Sequence, residues 1–194
     1  MIGQDFYFVI DLEATCWEQE DNIPDVNEII EIGLAACDIN GNVISTFQSF
    51  VKPKINDQLS NFCMNLTKIK QKWIDSARPL IVVQESLENW TKNHFNTDLF
   101  NIVWTSWGDF DMKCFKQDCQ RNNIRYRLGP HCSSKTLHSQ KRKCKKCGVK
   151  EALRLEGLTF EGTHHRGIDD AINIARIIKS ANMMNDIMQS AVIA

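Results

Sequence analysis

The chain has 194 residues, of which 43% are hydrophobic and 24% charged, with a formal net charge of −1. This length suits one domain with a complete hydrophobic core, so we expect a single domain over residues 1–194. The composition excludes an intrinsically disordered chain. No apolar run approaches the roughly 18 residues of a membrane helix, and the N-terminus lacks the basic part of a secretory signal. We therefore expect a cytoplasmic protein with no membrane partner.

The eight cysteines and the basic residues bear on the redox state and the partners. The cysteines are scattered through apolar stretches, which favours reduced thiols over disulfides. Residues 141–146 contain five cations in six positions, so a polyanionic partner should contact this segment. One interpretation is an electrostatic guide for a polyanionic strand. Another is a small metal site of Cys132, His138, Cys144 and Cys147, whose spacing lacks the paired CxxC pattern of a zinc ribbon. The third is a solvated basic loop without such a role.

The first fifty residues are predicted to form three strands. Residues 5–15 begin with the continuous apolar run Phe6–Ile10, which is too short for a typical helix and indicates a strand buried on both faces. Residues 27–39 and 43–52 are further strand candidates, and the Asn-Gly pair at 40–41 is a hairpin turn signal. The chain is therefore predicted to begin as an antiparallel meander whose first strand is central.

From residue 60 the apolar residues recur at helical spacing. Helices are predicted at 60–66, 69–77, 80–95, 109–123, 150–158 and 167–181, and a strand at 101–107. Asp109 is placed to cap the helix that follows this strand. Residues 127–149 are polar and poorly periodic, so no element is predicted there. This order predicts an α/β fold with a mixed central sheet and helices on both faces.

Two carboxylates follow the first apolar strand. Side chains alternate across a strand, so Asp11 and Glu13 point to one face, while Ile10 and Leu12 point to the other. Carboxylates at the end of a buried strand repel each other and lose solvation, which favours a hard divalent cation with oxygen ligands. A solvated pair at a strand end is the alternative, and the buried character of the strand argues against it.

Two further acidic pairs occur at predicted helix starts. Asp109 and Asp111 follow the strand at 101–107, and Asp169 and Asp170 begin the helix at 167–181. Capping and the helix dipole alone favour acids at such positions. His164 and His165 precede the second pair in a loop with a glycine, where paired histidines are often surface residues. Taken singly, each group is compatible with a purely structural role.

In combination, three segments resemble the exonuclease motifs of the DEDDh group of 3′→5′ exonucleases. They are DLEAT at 11–15, WGDFD at 107–111 and HHRGIDDAINIARI at 164–177. Residues 59–77 and 151–177 are similar to the ERI-1-like exoribonuclease subgroup, so the resemblance covers most of the chain. It implies an RNase H-like fold with the first strand at the centre of a mixed sheet. The basic segment departs from the family, whose corresponding stretch is expected to be more helical and apolar.

The resemblance assigns catalytic roles to five residues. They are the first-motif acids Asp11 and Glu13, the second-motif acid Asp111, the third-motif acid Asp170 and the histidine five positions before it, His165. In the family's scheme the four acids hold two divalent ions, Mg²⁺ or Mn²⁺, about 4 Å apart. The histidine accepts the proton of the attacking water. His164, Asp109 and Asp169 inherit no role, and Gly167 is expected to supply the loop freedom that His165 needs.

Recognition of the strand end is expected to depend on stacking and backbone contacts. Phe110 is placed to pack on the terminal base, and such stacking tolerates any base. Ala14 and Thr15 are expected to contact the terminal nucleotide, whose 2′-hydroxyl distinguishes RNA from DNA. Thr67 and Trp107 are expected to line the site, with core or loop packing as an equally open role for both.

The predicted function is a divalent-metal-dependent 3′→5′ exonuclease that releases nucleoside 5′-monophosphates from single-stranded ends, of RNA rather than DNA. One alternative is a DNA-directed exonuclease of the same fold. Another is a catalytically weak nucleic-acid-binding module, against which the presence of all five catalytic residue types argues. A zinc-dependent adaptor that uses the basic cysteine segment is the third. The sequence indicates neither the biological substrate nor the oligomeric state.

Overall fold

A computed structural model describes residues 5–18 and 26–190, which contain a six-stranded mixed sheet. Its strands are β1 (Phe6–Ala14), β2 (Ile29–Asp38), β3 (Val43–Lys52), β4 (Arg78–Pro79), β5 (Trp104–Ser106) and β6 (His131–Ser133), in the spatial order β4-β3-β2-β1-β5-β6. β1 pairs antiparallel with β2 and parallel with β5, and β2 pairs antiparallel with β3. The predicted meander and the central position of the first strand are therefore confirmed.

The helices pack on both faces of this sheet. They are α1 (Asn61–Thr67), α2 (Gln71–Asp75), α3 (Leu80–Phe95), α4 (Phe110–Arg121), α5 (Ser134–Arg142), α6 (Val149–Leu155), α7 (Gly167–Ser180) and α8 (Met184–Ser190), with a 3₁₀ turn at Leu99–Asn101. In the described part of the chain, no helix is both long and apolar enough to cross a membrane. The predicted helices are present, with ends that differ by a few residues.

The apolar run of β1 explains its central position. Tyr7, Phe8, Val9 and Ile10 are all fully buried. Phe8 and Ile10 pack in one cluster with side chains of α3 and α4, whereas Tyr7 and Val9 pack in another with side chains of α7. A strand with apolar side chains on both faces must have a helical layer on each side of it. The odd-numbered positions, and so Asp11, lie on the α7 face.

The N-terminus of α7 lies directly against the sheet because two glycines meet there. A Cβ on Gly33 of β2 would lie 2.0 Å from the carbonyl carbon of Gly167, and one on Gly167 would lie 2.8 Å from the carbonyl oxygen of Asp11. Both positions therefore require glycine for the close backbone approach. The expectation that Gly167 loosens a loop is wrong, since Gly167 begins α7 and His165 takes the left-handed φ of 62°.

Residues 127–149 contain regular structure that the sequence did not predict. β6 pairs in parallel with β5, and α5 follows it directly with Ser133 as its N-cap. β6 has three residues, too few to show a period, and α5 buries only Ser134 and His138. Neither element has the apolar pattern on which a sequence prediction depends. α8 is also an addition to the predicted elements.

The alternative metal site in the basic segment is not formed. His138 is buried, and its Nε2 lies 2.9 Å from Oε1 of the buried Glu156. Hydrogen bonds from Arg142 and then His138 and Ser180 hold the pKa of Glu156 down to about 2, against the effect of burial. Cys132, Cys144 and Cys147 do not converge with His138 on a common point. All eight cysteines are free thiols, as predicted.

Candidate active site

The acids of the first and third motifs meet at the C-terminal end of β1. Ligand oxygens of Asp11 and Glu13, from β1, and of Asp170, from α7, all lie within 4.8 Å of one another. Within residues 5–18 and 26–190, this is the one group of three or more Asp, Glu, His or Cys side chains arranged to share an ion. The close approach of Gly167 to the Asp11 carbonyl, and to Gly33 in the neighbouring β2, sets the distance between β1 and α7. Three of the predicted metal ligands are therefore adjacent.

Asp111 approaches the same end of β1 from the opposite helical layer. It lies in the first turn of α4 and is buried, and its Oδ1 accepts a hydrogen bond from the Leu12 amide at 3.0 Å. This bond links the start of α4 to the strand that provides Asp11 and Glu13. Asp109 occupies the N-cap position, but its side chain makes no capping hydrogen bond, so the predicted cap is wrong in that respect.

Burial and mutual repulsion raise the pKa values of these carboxyl groups. Burial, followed by the charges of Asp111 and Asp170, raises the pKa of Asp11 well above its ordinary value. Burial and the charge of Asp170 raise the pKa of Glu13 to about 9. Burial also raises the pKa of Asp111 to about 6, although the Leu12 amide opposes it. Asp11, Glu13, Asp111 and Asp170 together are called the acidic group below. A divalent cation would relieve the repulsion between these carboxylates, so the acidic group fits such an ion.

Both adjacent histidines contact Asp170, through different atoms. The His165 amide donates to Oδ2 at 2.7 Å, whereas Nδ1 of the His164 ring lies 3.0 Å from Oδ1. The two rings stack with their centroids 3.9 Å apart. Burial and the neighbouring His164 lower the pKa of His165, which favours its neutral form. The sequence did not predict that the His164 ring would contact the third-motif acid.

A buried ion pair holds the loop that precedes α7. Glu31 of β2 is fully buried and lies opposite Glu13 in the strand register. Arg166 donates to both oxygens of Glu31 at 3.0 Å, and its guanidinium lies over the rings of Phe50 and Trp73. A two-point pair of this kind restricts the orientation of the arginine. Sequence reasoning missed this pair, and a charged residue in the apolar stretch at 29–36 was the available signal.

A cleft of about 330 Å³ opens over the acids. It is lined by Asp11, Leu12, Glu13, Ala14, Thr15, Cys16, Asn27, Leu66, Trp107, Phe110, Asp111, Val149, His164, His165 and Asp170. Phe110 is 55% exposed, so its ring is available for stacking. Thr67 does not line the cleft: it is buried, and its hydroxyl donates to the Cys63 carbonyl within α1. Sequence reasoning did not identify Leu66, which lines the cleft instead.

Thr15 and Trp107 are both at the cleft and both hydrogen bonded within the protein. The Thr15 hydroxyl accepts a bond from the Glu28 amide at 2.9 Å, and the Thr15 amide donates to the Glu28 carbonyl. The Trp107 indole Nε1 donates to the Cys147 carbonyl at 2.8 Å. Their polar atoms therefore fix the walls of the cleft, and the Thr15 carbonyl is likewise engaged, by the Asn27 side-chain amide. Trp107 still offers a ligand the surface of its ring.

The chain is similar to exonucleases over most of its length. The family model "Exonuclease" matches residues 8–178. The human 3'-5' exoribonuclease 1 is 33% identical over 94% of this chain and 53% of its own length, and the Drosophila melanogaster 3'-5' exonuclease Snipper is 29% identical over 89% of this chain and 68% of its own length. The nuclease domain of 3'hExo, a DEDDh family member bound to rAMP, superposes with a TM-score of 0.83 at 30% identity, covering 94% of this chain and 92% of that domain. The chain thus spans about half the length of the human relative.

Proposed function

The chain belongs to the exonuclease family, and from this premise we propose that it shortens single-stranded RNA from the 3′ end and releases nucleoside 5′-monophosphates. The observation that supports the proposal is the cleft in which Asp11, Glu13, Asp111, His165 and Asp170 all meet. These are the five positions at which the three sequence segments match the DEDDh pattern. Membership in this family supports an exonuclease activity, and the 3′→5′ direction, which the names of the similar proteins carry, belongs to the proposal together with the substrate, products and mechanism.

We propose RNA as the substrate because of the name of one similar protein and the ligand bound to another. The human relative is named an exoribonuclease, and the similar nuclease domain was solved with rAMP, a ribonucleotide. A 2′-hydroxyl is the group by which a protein distinguishes RNA from DNA at a given site. Ala14 and Thr15 line the cleft next to Glu13, and we propose that the terminal 2′-hydroxyl contacts this part of the wall.

The acidic residues fit a pair of divalent ions, Mg²⁺ or Mn²⁺. Asp11, Glu13 and Asp170 would hold one, and Asp11 with Asp111 the other, since Asp111 keeps one carboxylate oxygen free of the Leu12 amide. Such ions lower the pKa of the attacking water and stabilise the negative charge that develops on the phosphate and on the leaving 3′ oxygen. Only oxygen ligands are offered by these four residues, which suits hard cations.

The protein's own groups perform the remaining steps. His165 accepts a proton from the water that attacks phosphorus, and its neutral form is the one that can do so. The bond between phosphorus and the 3′ oxygen of the penultimate nucleotide then breaks, and that oxygen takes up a proton from solvent. One nucleoside 5′-monophosphate leaves, and the shortened strand ends in a 3′-hydroxyl.

The aromatic side chains of the cleft position the strand end. Phe110 precedes Asp111 and is largely exposed, so the terminal base can stack on it next to the acids. Trp107 lies on the same cleft wall and is held by its bond to Cys147. Stacking of this kind contributes about 1–3 kcal/mol per base and does not depend on base identity. We therefore propose that the exonuclease has little sequence preference.

The proposal is tested with a single-stranded RNA labelled at its 5′ end and incubated with Mn²⁺ or Mg²⁺. The expected result is a ladder of fragments shortened from the 3′ end, together with free nucleoside 5′-monophosphates. Asp11→Ala should remove this activity. Asp109→Asn is the matched control, since it changes a neighbouring acid outside the acidic group and should retain activity. Absence of a ladder, or a ladder from Asp11→Ala equal to that of the wild type, would contradict the proposal.

The same assay on DNA of identical sequence tests the substrate class. We expect faster shortening of RNA, because the cleft then gains a contact to the terminal 2′-hydroxyl. Equal or faster shortening of DNA would reject the RNA preference and leave a DNA-directed exonuclease of the same fold.

A further inference from the structure

The basic segment at 141–146 is divided by the fold into two parts with different partners. Nζ of Lys141 lies 2.9 Å from Oδ2 of Asp186, and Arg142 pairs with Glu156. These two cations attach α5 to α8 and to Glu156, the residue that follows α6. They are therefore neutralised within the protein.

The remaining cations of the segment have no such partner among the described residues. Lys143, Lys145 and Lys146 are exposed on the connection between α5 and α6, and Lys150 is exposed in the first turn of α6. In the part of the chain that the structure describes, none of the four forms an ion pair. Glu151, the acid next in sequence, is paired with Arg154. Four uncompensated positive charges thus lie close together along the chain.

This connection forms part of the cleft wall. Cys147, one residue after Lys146, accepts the hydrogen bond of the Trp107 indole, and Val149, one residue before Lys150, lines the cleft. The charge of Lys150 is also close enough to His165 to contribute to lowering its pKa. The exposed lysines therefore lie on a connection that forms part of the cleft wall.

We propose that Lys145, Lys146 and Lys150, with Lys143, form a basic rim that binds the backbone phosphates of an RNA strand 5′ to the nucleotides held in the cleft. The inference rests on the proposed exonuclease function. The acidic group repels a polyanion until cations are bound, so a positive surface next to it provides the attraction that the cleft lacks. Lysine at these positions suits phosphates, which it binds as a point charge with no base preference.

The expected consequence is a dependence on substrate length. A dinucleotide has only the phosphate that is cleaved, so it cannot reach the basic rim. A strand of about 12 nucleotides can contact both the cleft and the rim. The rim should therefore raise kcat/KM for the long strand far more than for the dinucleotide, mainly through KM.

The test compares Lys145→Ala/Lys146→Ala with the wild type on both substrates over a range of salt concentrations. We expect a higher KM for the long strand, and a slope of log kcat/KM against log salt that is shallower by about 0.7 per lysine removed. The loss on the dinucleotide should be small by comparison. The matched control is Lys116→Ala/Lys179→Ala, which removes two exposed lysines that form no ion pair within the described residues, on α4 and in the last turn of α7, and should leave both substrates unchanged.

The outcomes separate the two proposals. If the wild type degrades the long strand and the Lys145→Ala/Lys146→Ala variant does so with the same KM and salt slope, the basic rim is rejected and the exonuclease function stands. If the wild type degrades neither substrate, the function itself is rejected. An equal loss on the two substrates, or an equal effect of the control variant, would also contradict the rim.

Discussion

At the residue scale, the paired letters of HHRGIDD differ in what their atoms contact. Asp170 belongs to the acidic group, whereas Asp169 accepts a hydrogen bond from the Thr163 amide and holds the loop before α7. His165 contributes a backbone bond to Asp170, and His164 a ring contact to the same side chain. The predicted structural role of Asp169 agrees with its bond to the loop. The His164 ring therefore lies closer to the metal-binding acids than the sequence indicated.

Substitution of the two histidines should affect different kinetic quantities. His165→Ala should lower kcat by about 10²- to 10⁴-fold, since it removes the proposed base, with little change in the metal dependence. His164→Ala should mainly raise the Mn²⁺ concentration for half-maximal rate by about 10- to 100-fold, since it removes a partner of a metal-binding carboxylate. Steady-state rates over a Mn²⁺ titration measure both. Identical effects of the two changes would contradict this division of roles.

At the element scale, the contact of α7 with β2 decides whether the acids meet. Gly33 lies in a strand whose residues from Ile29 to Cys37 are all buried, and the start of α7 lies on its backbone. The ion pair between Arg166, the residue before α7, and Glu31 of β2 stabilises the same contact between α7 and β2. A displacement of α7 by the width of one methyl group would move Asp170 away from Asp11. The geometry of the site is therefore coupled to the packing of one helix end.

Gly33→Ala should show this coupling. A Cβ at this position meets backbone atoms at 2.0 to 2.4 Å, so α7 must move, and we expect a loss of stability of about 3 kcal/mol or more. Weaker Mn²⁺ binding should accompany it. Gly148→Ala is the control, because a Cβ there meets nothing within 4 Å, and its cost should be at most about 1 kcal/mol from the weaker N-cap. Chemical denaturation and Mn²⁺ titration measure the two effects, and equal losses would argue against the coupling.

At the scale of the whole molecule, the fold maintains a buried group of carboxylates that repel one another. The four acids come from β1, α4 and α7, so both helical layers and the centre of the sheet contribute to it. Their raised pKa values show that the charged forms are disfavoured in the absence of cations. An ion that binds the folded state and not the unfolded chain must then stabilise the whole fold.

Mn²⁺ should therefore raise the melting temperature of the protein. At a concentration 100 times the dissociation constant, binding stabilises by about 2.7 kcal/mol, and each kcal/mol corresponds to about 2–4 °C for a chain of this size. Asp170→Asn should abolish most of the shift. Asp169→Asn, which changes the neighbouring acid, should retain it. Calorimetry with and without Mn²⁺ is the measurement, and a shift that Asp170→Asn leaves intact would place the ion elsewhere.

The sequence alone determined the meander, the central strand, most of the helices and the acids that belong together. These follow from periodicity and from the order and spacing of three motifs, which are local properties of the chain. The short β6 and the polar α5 were missed because their stability comes from pairing with β5 and from the buried His138–Glu156 contact, not from their own pattern.

Only the tertiary structure decided which polar residues meet. Three features join elements distant in sequence or depend on side-chain direction. They are the ring contact of His164 with Asp170, the position of Leu66 rather than Thr67 in the cleft, and the pairing of Arg166 with Glu31. The division of the basic segment at 141–146 into paired and unpaired cations also depends on the tertiary structure. Ion pairs with Asp186 and Glu156 engage Lys141 and Arg142, while the next lysines, identical in charge, are left exposed beside the cleft. Charge is a property of the sequence, but its compensation depends on which elements pack together.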